Sequence, residues 1–485
     1  MTRRLLISVV LVSMVAGCAP PKGQTPIVLG KLKHEEALFG WAPPFQRNVP
    51  SFDHRNRAYI RSRAEDLDST AFVHALSDGA WAKRGFLDAV KKAYPTFVAT
   101  RLGGGWWPSR VVFDDDDHAY TLLRIELADK SQKSLLLHSR DGCATWQITE
   151  LPDGQFTMEH WTGHNAIPGP PPIGVLTKLE DHPGKWASVM RLSVYFPKKT
   201  EEGIDLGEPV VVSERCFGMS QHSGGASFAA TRGGKTHITW ADVTFVPGEG
   251  PQPEAIWSIN RRGQREHLPL TNKDAPGSPT YVATYDHRTG KLGPRVMLAY
   301  APPPNDCHNT PGIALDSEGI LHVITGAHGT PFYYLRSRKP NDAYTGWEAP
   351  KPTLIDPARG TSSGKQTYLA MLIDQKDALH IVFREWRQDP DHHGGKQYAA
   401  LSYQRKRKGY QWEPARPLVI APVPGYSIFY HKLALDRRGR LFLSYSYWST
   451  DKAYESLPGR YHFPSLLCSR DGGTTWHLAT TGDFR

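Results

Sequence analysis

Two short segments of this chain concentrate side chains that can move protons. The first runs Asp306-Cys307-His308-Asn309-Thr310-Pro311-Gly312 and, after the apolar Leu321-His322-Val323-Ile324, ends in Gly326-Ala327-His328-Gly329. The second opens on Lys365-Gln366-Thr367-Tyr368 and ends in Phe383-Arg384. Each reads as strand, tight turn, strand, with a chemistry-bearing residue at both outer ends: His308 and His328, then Tyr368 and Arg384. This set suits removal of a proton from carbon beside a carboxylate. An arginine stays charged and can clamp a carboxylate bidentately. A neutral histidine can take a proton at ordinary pH. A tyrosine can give one to a departing oxygen, or act as a base itself when a nearby cation favours the phenolate. On the residues alone, His308 and Tyr368 can each be acid or base, with Arg384 neutralising the carboxylate and His328 donating a second hydrogen bond to it. The scheme requires no metal.

Around these four stand weaker candidates. His222, in Gln221-His222-Ser223, falls near the His308 position of an earlier repeat and is a candidate for the cleft wall. Asn309, Arg336, Lys365 and Gln366 are candidate substrate contacts. His322 and His380 sit inside strands at equivalent repeat positions and read as structural. Trp106-Trp107 suits packing between strands better than a sugar platform, and Arg405–Lys408 reads as a solvated turn.

The elements that must position these residues are short strands. Runs of Val, Ile, Leu, Tyr, Phe and Trp alternate with Asp/Gly turn clusters; Phe86–Tyr94 is the best helical pattern. A hairpin unit recurs at Arg110–Leu127, Ser220–Asp242, Cys307–Gly329, Gln366–Trp386 and Ile428–Trp448, with a weaker copy at Gly174–Phe196. Repeats of this kind mean a radial or stacked array. Ser469-Arg470-Asp471-Gly472-Gly473-Thr474-Thr475-Trp476 fits the Asp-box pattern S-x-D-x-G-x-T-W throughout, and Ser139–Trp146 fits except for Cys143 at the glycine position. The expectation is an all-β fold, a β-propeller of six or seven blades with seven favoured. The extra blade would be shared between about 69–100 and the C-terminal strands.

The block from about Met219 to Trp448 resembles the BNR-repeat propellers of bacterial ulvan lyases. The resemblance rests on His308-Asn309-x-Pro311, Gly326-Ala327-His328-Gly329-Thr330-Pro331-Phe332, Tyr333-Tyr334-Leu335-Arg336-Ser337, and Tyr368 with Arg384 one hairpin later. It implies a seven-bladed polysaccharide lyase that cleaves a sulfated, uronate-containing polymer by β-elimination. It also implies that His308 and Tyr368 are catalytic, His328 is the second histidine and Arg384 is the charge-neutralising arginine. Some members hold a structural metal through Cys and His; those ligands find no match in this chain. Two other readings compete. A sialidase-like hydrolase shares the Asp boxes, but Arg-Ile-Pro is missing and no glutamate stands suitably beside Tyr368. A non-catalytic propeller that captures glycans would bind without turnover.

The ends and the composition set the context. Arg3-Arg4, an apolar run Leu5–Val15, and Val15-Ala16-Gly17-Cys18 make a lipoprotein-type export signal with Cys18 as the lipidation site. The run is too short to span a bilayer. Residues 1–17 are read as signal, 18–40 as tether and 41–485 as one propeller domain. Ala19 after the cysteine gives no reason for inner-membrane retention, so the outer membrane is expected, with the membrane touched only through the lipid. Formal charge is +10 over 485 residues, or +8 without Arg3 and Arg4. A basic exported protein favours an acidic polysaccharide over nucleic acid as its partner, and a monomer is expected. Cys143, Cys216, Cys307 and Cys468 contain no C-x-x-C; buried free thiols lead the readings, with disulfides permitted by the compartment.

Overall fold

The computed structural model describes residues 27–28, 49–61, 72–77, 80–102, 110–157, 168–181, 188–218, 226–244, 256–260, 262, 264–268, 277–353, 362–421, 424–447 and 465–485. Cys18, Trp106, Trp107 and His222 fall outside these, as does the export signal. Among the described residues the fold is all-β apart from the helix Leu87–Ala93 and short 3-10 turns. No helix there is long and apolar enough to cross a membrane.

The repeated hairpin is built on one aspartate. In the turn after strand Ser362–Ile373, Asp374 Oδ1 accepts hydrogen bonds from the backbone of Lys376 and Ala378, both at 2.8 Å. Asp436 does the same for Arg438 and Arg440, and Asp114 for Asp116 and His118. Three residues after each aspartate the chain enters the left-handed region, at Asp117, Asp377 and Gly439. The second carboxylate oxygen reaches a side chain on the returning strand: His322 from Asp316 at 3.2 Å, His380 from Asp374 at 3.1 Å. The other ring nitrogens meet Tyr334 and Tyr403 hydroxyls. His322 and His380 therefore hold turns, as their strand positions suggested.

Both Asp-box turns form. Ser469 and Asp471 cap the turn amides of Gly473 and Thr475, and Ser139 and Asp141 do so for Cys143 and Thr145. Cys143 occupies the glycine position with φ 69°, and is buried.

These hairpins extend into antiparallel meanders. Strands Ser51–Phe52, Ala58–Ile60, Phe72–Ser77 and Ala80–Gly85 form one sheet. Strands Gly312–Leu315, Leu321–Ile324, Tyr333–Arg336 and Lys351–Pro352 form another, and Ile428–Leu435, Leu441–Tyr447, Ser465–Ser469 and His477–Leu478 a third. An eleven-stranded sheet is two meanders joined where Val210–Gly218 meets Lys235–Asp242 through only Cys216↔Asp242 and Gly218↔Ala241.

Two sequence expectations are corrected. A hairpin at 49–61, with its turn on Asp53, opens the first sheet; the extra unit is not shared between 69–100 and the C-terminus. Its strands are two and three residues long, too short to register as alternation. Further, the 18–40 stretch is not wholly a tether. Ile27 and Val28 pair in parallel with Val419 and Ile420, occupying the outer edge of strand Arg416–Ile420.

Hydrophobic clusters lie between consecutive sheets. Leu372 and Val382 pack with Leu433 and Leu443. Phe442 and Leu466 pack with Phe52 and Ile60, and Tyr59 packs with Phe113 and Leu123. Leu136 packs with Ile173, and Leu192 with Ile238 and Trp240. Leu298 packs with Leu315 and Val323, and Ile324 and Tyr334 pack with Leu369 and Ile381. Such interfaces, rather than any single sheet, carry the apolar burial that drives folding.

Candidate active site

The site forms at the strand ends opposite the Asp-anchored turns. Strand His328–Thr330 leaves the sheet of its own meander and pairs with the next one, setting His328 opposite Thr367. Thr367 in turn faces Arg384 on strand Leu379–Arg387. One hydroxyl ties these strands together: Thr367 Oγ1 accepts from the Gly329 amide at 3.0 Å and from Arg384 Nη2 at 3.0 Å. The His308 loop is pressed against the His328 loop at Gly326, where a Cβ would lie 2.2 Å from the carbonyl carbon of Asn309. Only glycine permits that approach.

Asp306 joins the two histidines. Its Oδ1 meets His308 Nδ1 at 2.5 Å and its Oδ2 meets His328 Nδ1 at 2.5 Å. The rings lie 4.7 Å apart. Burial would push the Asp306 carboxyl upward, but hydrogen bonds from both imidazoles outweigh it and hold the group well below the usual carboxylate range. With each Nδ1 turned to the carboxylate, each Nε2 lies on the far side of its ring from Asp306. Asp306, His308 and His328 also present three possible metal-ligand atoms within 4.8 Å, as do Cys468, His477 and Asp483. In the first group, the 2.5 Å contacts are hydrogen-bond lengths. Neighbouring ligand atoms around a tetrahedral ion with bonds of about 2.0 Å stand more than 3 Å apart.

Tyr368 stands beside this pair, its ring 5.1 Å from His308 in an edge-on orientation. It lies in a bulge of its strand, between pairs Thr367↔Arg384 and Ala370↔Val382, with φ 61°. A bulky residue in the left-handed region is unusual and is tolerated only where its surroundings enforce it. Its hydroxyl is hydrogen-bonded to that of Tyr426.

Arg384 is 1% exposed. Its Cζ lies 4.5 Å from the Tyr426 ring, 5.0 Å from Tyr368 and 5.3 Å from Trp386, so three aromatic faces enclose the guanidinium. The acids it might have paired with are engaged elsewhere: Glu385 with Arg387 and Ser402, Asp389 with His392 and Tyr398. Buried His431 donates to the Val382 carbonyl at 2.9 Å, and burial holds its imidazole down to about 3. Tyr368 is equally covered, at 1% exposure. In this arrangement Arg384 is covered and addresses the two phenols.

The weaker candidates divide. Asn309 is wholly buried; its amide donates to the carbonyls of Ala301 and Pro303, bracing the segment whose Pro302 carbonyl accepts the His328 amide. Gln366 is wholly buried and accepts from the Phe332 amide and Thr353 hydroxyl. Both position backbone instead of offering contacts to a substrate. Arg336 pairs with His322 across strands, toward the turn end and away from the site, and its Nε is 3.6 Å from Glu348. Lys365 is exposed on the strand that carries Tyr368. Sequence reasoning missed Asp306, Thr367, Trp386 and Tyr426. Asp306 carried a usable signal, an acid two residues before a histidine, which here makes an Asx turn to the His308 amide at 2.9 Å. Tyr426 carried none.

Among the described residues, Cys143, Cys216, Cys307 and Cys468 are free thiols. Cys307 lies against His308, its Sγ 3.9 Å from Nδ1, and burial pushes its thiol up to about 11, which makes it a poor nucleophile. A cavity of about 960 Å³ lined by Pro170, Phe196, Lys198, Arg232, Tyr285 and His287 belongs to the turn end, away from these residues.

A model described as a BNR repeat-containing family member matches residues 271–483, the part of the chain that holds the site. No curated protein matches. Among solved structures, a polysaccharide lyase, an ulvan lyase bound to -[GlcA(1-4)Rha3S]-, is 15% identical over 54% of each chain with a TM-score of 0.35. The chain thus spans about half the length of that enzyme. Trypanosoma rangeli sialidase in complex with sialic acid is 11% identical over 88% of this chain and 59% of its own, with a TM-score of 0.38. An α-L-arabinofuranosidase from Fusarium graminearum is 11% identical over 78% of this chain and 94% of its own, with a TM-score of 0.36. At such identities the activity has to be argued from the residues of the site.

Proposed function

We propose that this protein is a polysaccharide lyase that cleaves a uronate-containing, sulfated polymer of the ulvan type by β-elimination. The observation that carries this reading is the meeting of His308, His328 and Tyr368 around Asp306 at one place. His308 Nε2 takes the C5 proton. The C–H electrons become the C4–C5 double bond, and the C4–O4 electrons leave with the oxygen. Tyr368 gives that oxygen its proton. His328, its side chain 33% exposed beside Asp306, donates a hydrogen bond to the uronate carboxylate. Arg384 supports the phenolate form of Tyr368 from behind. The opposite assignment, with Tyr368 as base, uses the same atoms.

The same proposal includes a seven-bladed propeller. Its support is that core clusters run from each meander to the next, and that the sheet ending at His477–Leu478 packs on the one that begins at Ser51. It also includes export as a monomeric lipoprotein held at Cys18, with an anionic polysaccharide as partner and no cofactor for the elimination. Incubating the purified protein with ulvan and other uronate polymers tests the activity. Ultraviolet absorbance of an unsaturated uronate is expected with one of them and is lost in Tyr368→Phe. Binding without any such product, unchanged by Tyr368→Phe, would make the protein a glycan-capturing module instead.

A further inference from the structure

We propose that Tyr426 is a positioning residue for proton transfer at Tyr368, its hydroxyl holding the Tyr368 oxygen as that oxygen loses and regains its proton. This rests on the lyase reading of the site. Two phenol oxygens in hydrogen-bond contact, each on a ring that packs on one buried guanidinium, form a unit that ring packing alone does not require. Stacking on Arg384 would be served equally by phenylalanine. Only the hydroxyls need to be placed oxygen to oxygen.

The geometry says why such a partner is needed. Tyr368 is 1% exposed, so water is poorly placed to solvate a phenolate there. The groups that face it include the His308 ring, Arg384 and Tyr426. Arg384 faces the ring, and its Nη2 donates to Thr367. The Tyr426 hydroxyl touches the Tyr368 oxygen directly and can donate to it. When Tyr368 gives its proton to the departing glycosidic oxygen, the O–H bond breaks and the electron pair stays on Tyr368. The Tyr426 O–H then donates to that oxyanion. The proton His308 took from carbon returns through solvent to Tyr368, which closes the cycle. Donors set in advance toward developing charge are worth most where water is excluded. Tyr426 reaches the site from the segment that joins two sheets, between strands Arg416–Ile420 and Ile428–Leu435, so the pair also links neighbouring meanders at the site.

The test compares Tyr426→Phe, Tyr426→Gln, Tyr426→Leu and Tyr368→Phe on the polymer that the wild-type protein cleaves. Tyr426→Phe is expected to lower kcat about 10- to 100-fold with KM within about twofold. Should the smaller side chains loosen the fold, Tyr426→Gln, which restores a donor, is still expected to exceed Tyr426→Leu, which does not. A Tyr426→Phe protein with wild-type kcat beside an inactive Tyr368→Phe protein would overturn this inference and leave the lyase reading standing. So would a rise in KM alone, which would make Tyr426 a substrate contact. A wild-type protein that cleaves no uronate polymer would overturn the reading beneath it.

Discussion

Asp306 governs the chemistry of the candidate site without being placed to touch a substrate. One carboxylate fixes the ring orientation and tautomer of two histidines, which is how a buried acid usually serves an imidazole base. Asp306→Asn is expected to lower kcat/KM about 10- to 100-fold while the protein stays folded, as read by steady-state kinetics on the cleaved polymer. The same residue contributes to acid sensitivity. Its folded-state pKa is depressed, so its stabilisation is present above the unfolded value of about 4 and is lost as pH falls below that. Thermal melts should therefore show the gap between wild type and Asp306→Asn narrowing below about pH 4. Tyr368→Phe removes the proton donor and keeps the ring, so activity should vanish with little change in melting temperature.

At the scale of the element, the unit is a hairpin whose turn is tied by an aspartate. Asp374→Ala frees the amides of Lys376 and Ala378 and takes from buried His380 the partner of its Nε2. Unfolding in urea should show a loss of about 2–4 kcal/mol. Much of this architecture was legible beforehand. The turns on Asp114, Asp316, Asp374 and Asp436, the structural roles of His322 and His380, and the pairing of hairpins at 307–329 and 366–386 follow from alternation and turn chemistry. What stayed hidden has physical reasons. The hairpin at 49–61 has strands too short to show a period. The 27–28 strand gains its partner only when a distant edge exists. A third turn of the Asp-box kind, Asp342 capping Thr345 before Trp347, is disguised by three residues inserted after Ser337-Arg338. Within the site, residue type pointed to His308, His328, Tyr368 and Arg384. Burial could not be read from type, so Asn309 and Gln366 looked like contacts and Arg384 looked like an open clamp.

The whole molecule is basic and rich in buried histidines. Burial holds His138 and His237 down to about 4, and His431 to about 3. Their folded-state values lie below the unfolded value of about 6.5, so the unfolded chain binds more protons between those limits. Stability is intact above about pH 6.5 and falls as pH drops toward 4. Calorimetry should accordingly give a melting temperature several degrees lower at about pH 5 than at about pH 7. The net charge of +10 implies that affinity for an anionic polymer weakens as salt screens it, which titrations at two ionic strengths would show.

The most direct test of elimination at this site is to digest the cleaved polymer in heavy-oxygen water and weigh the products. The account predicts fragments with an unsaturated uronate end, a total mass equal to that of the starting polymer, and no oxygen taken from solvent at the cleavage. Fragments that gain one water per cut, with the heavy isotope at the new end, would contradict it and make the protein a hydrolase.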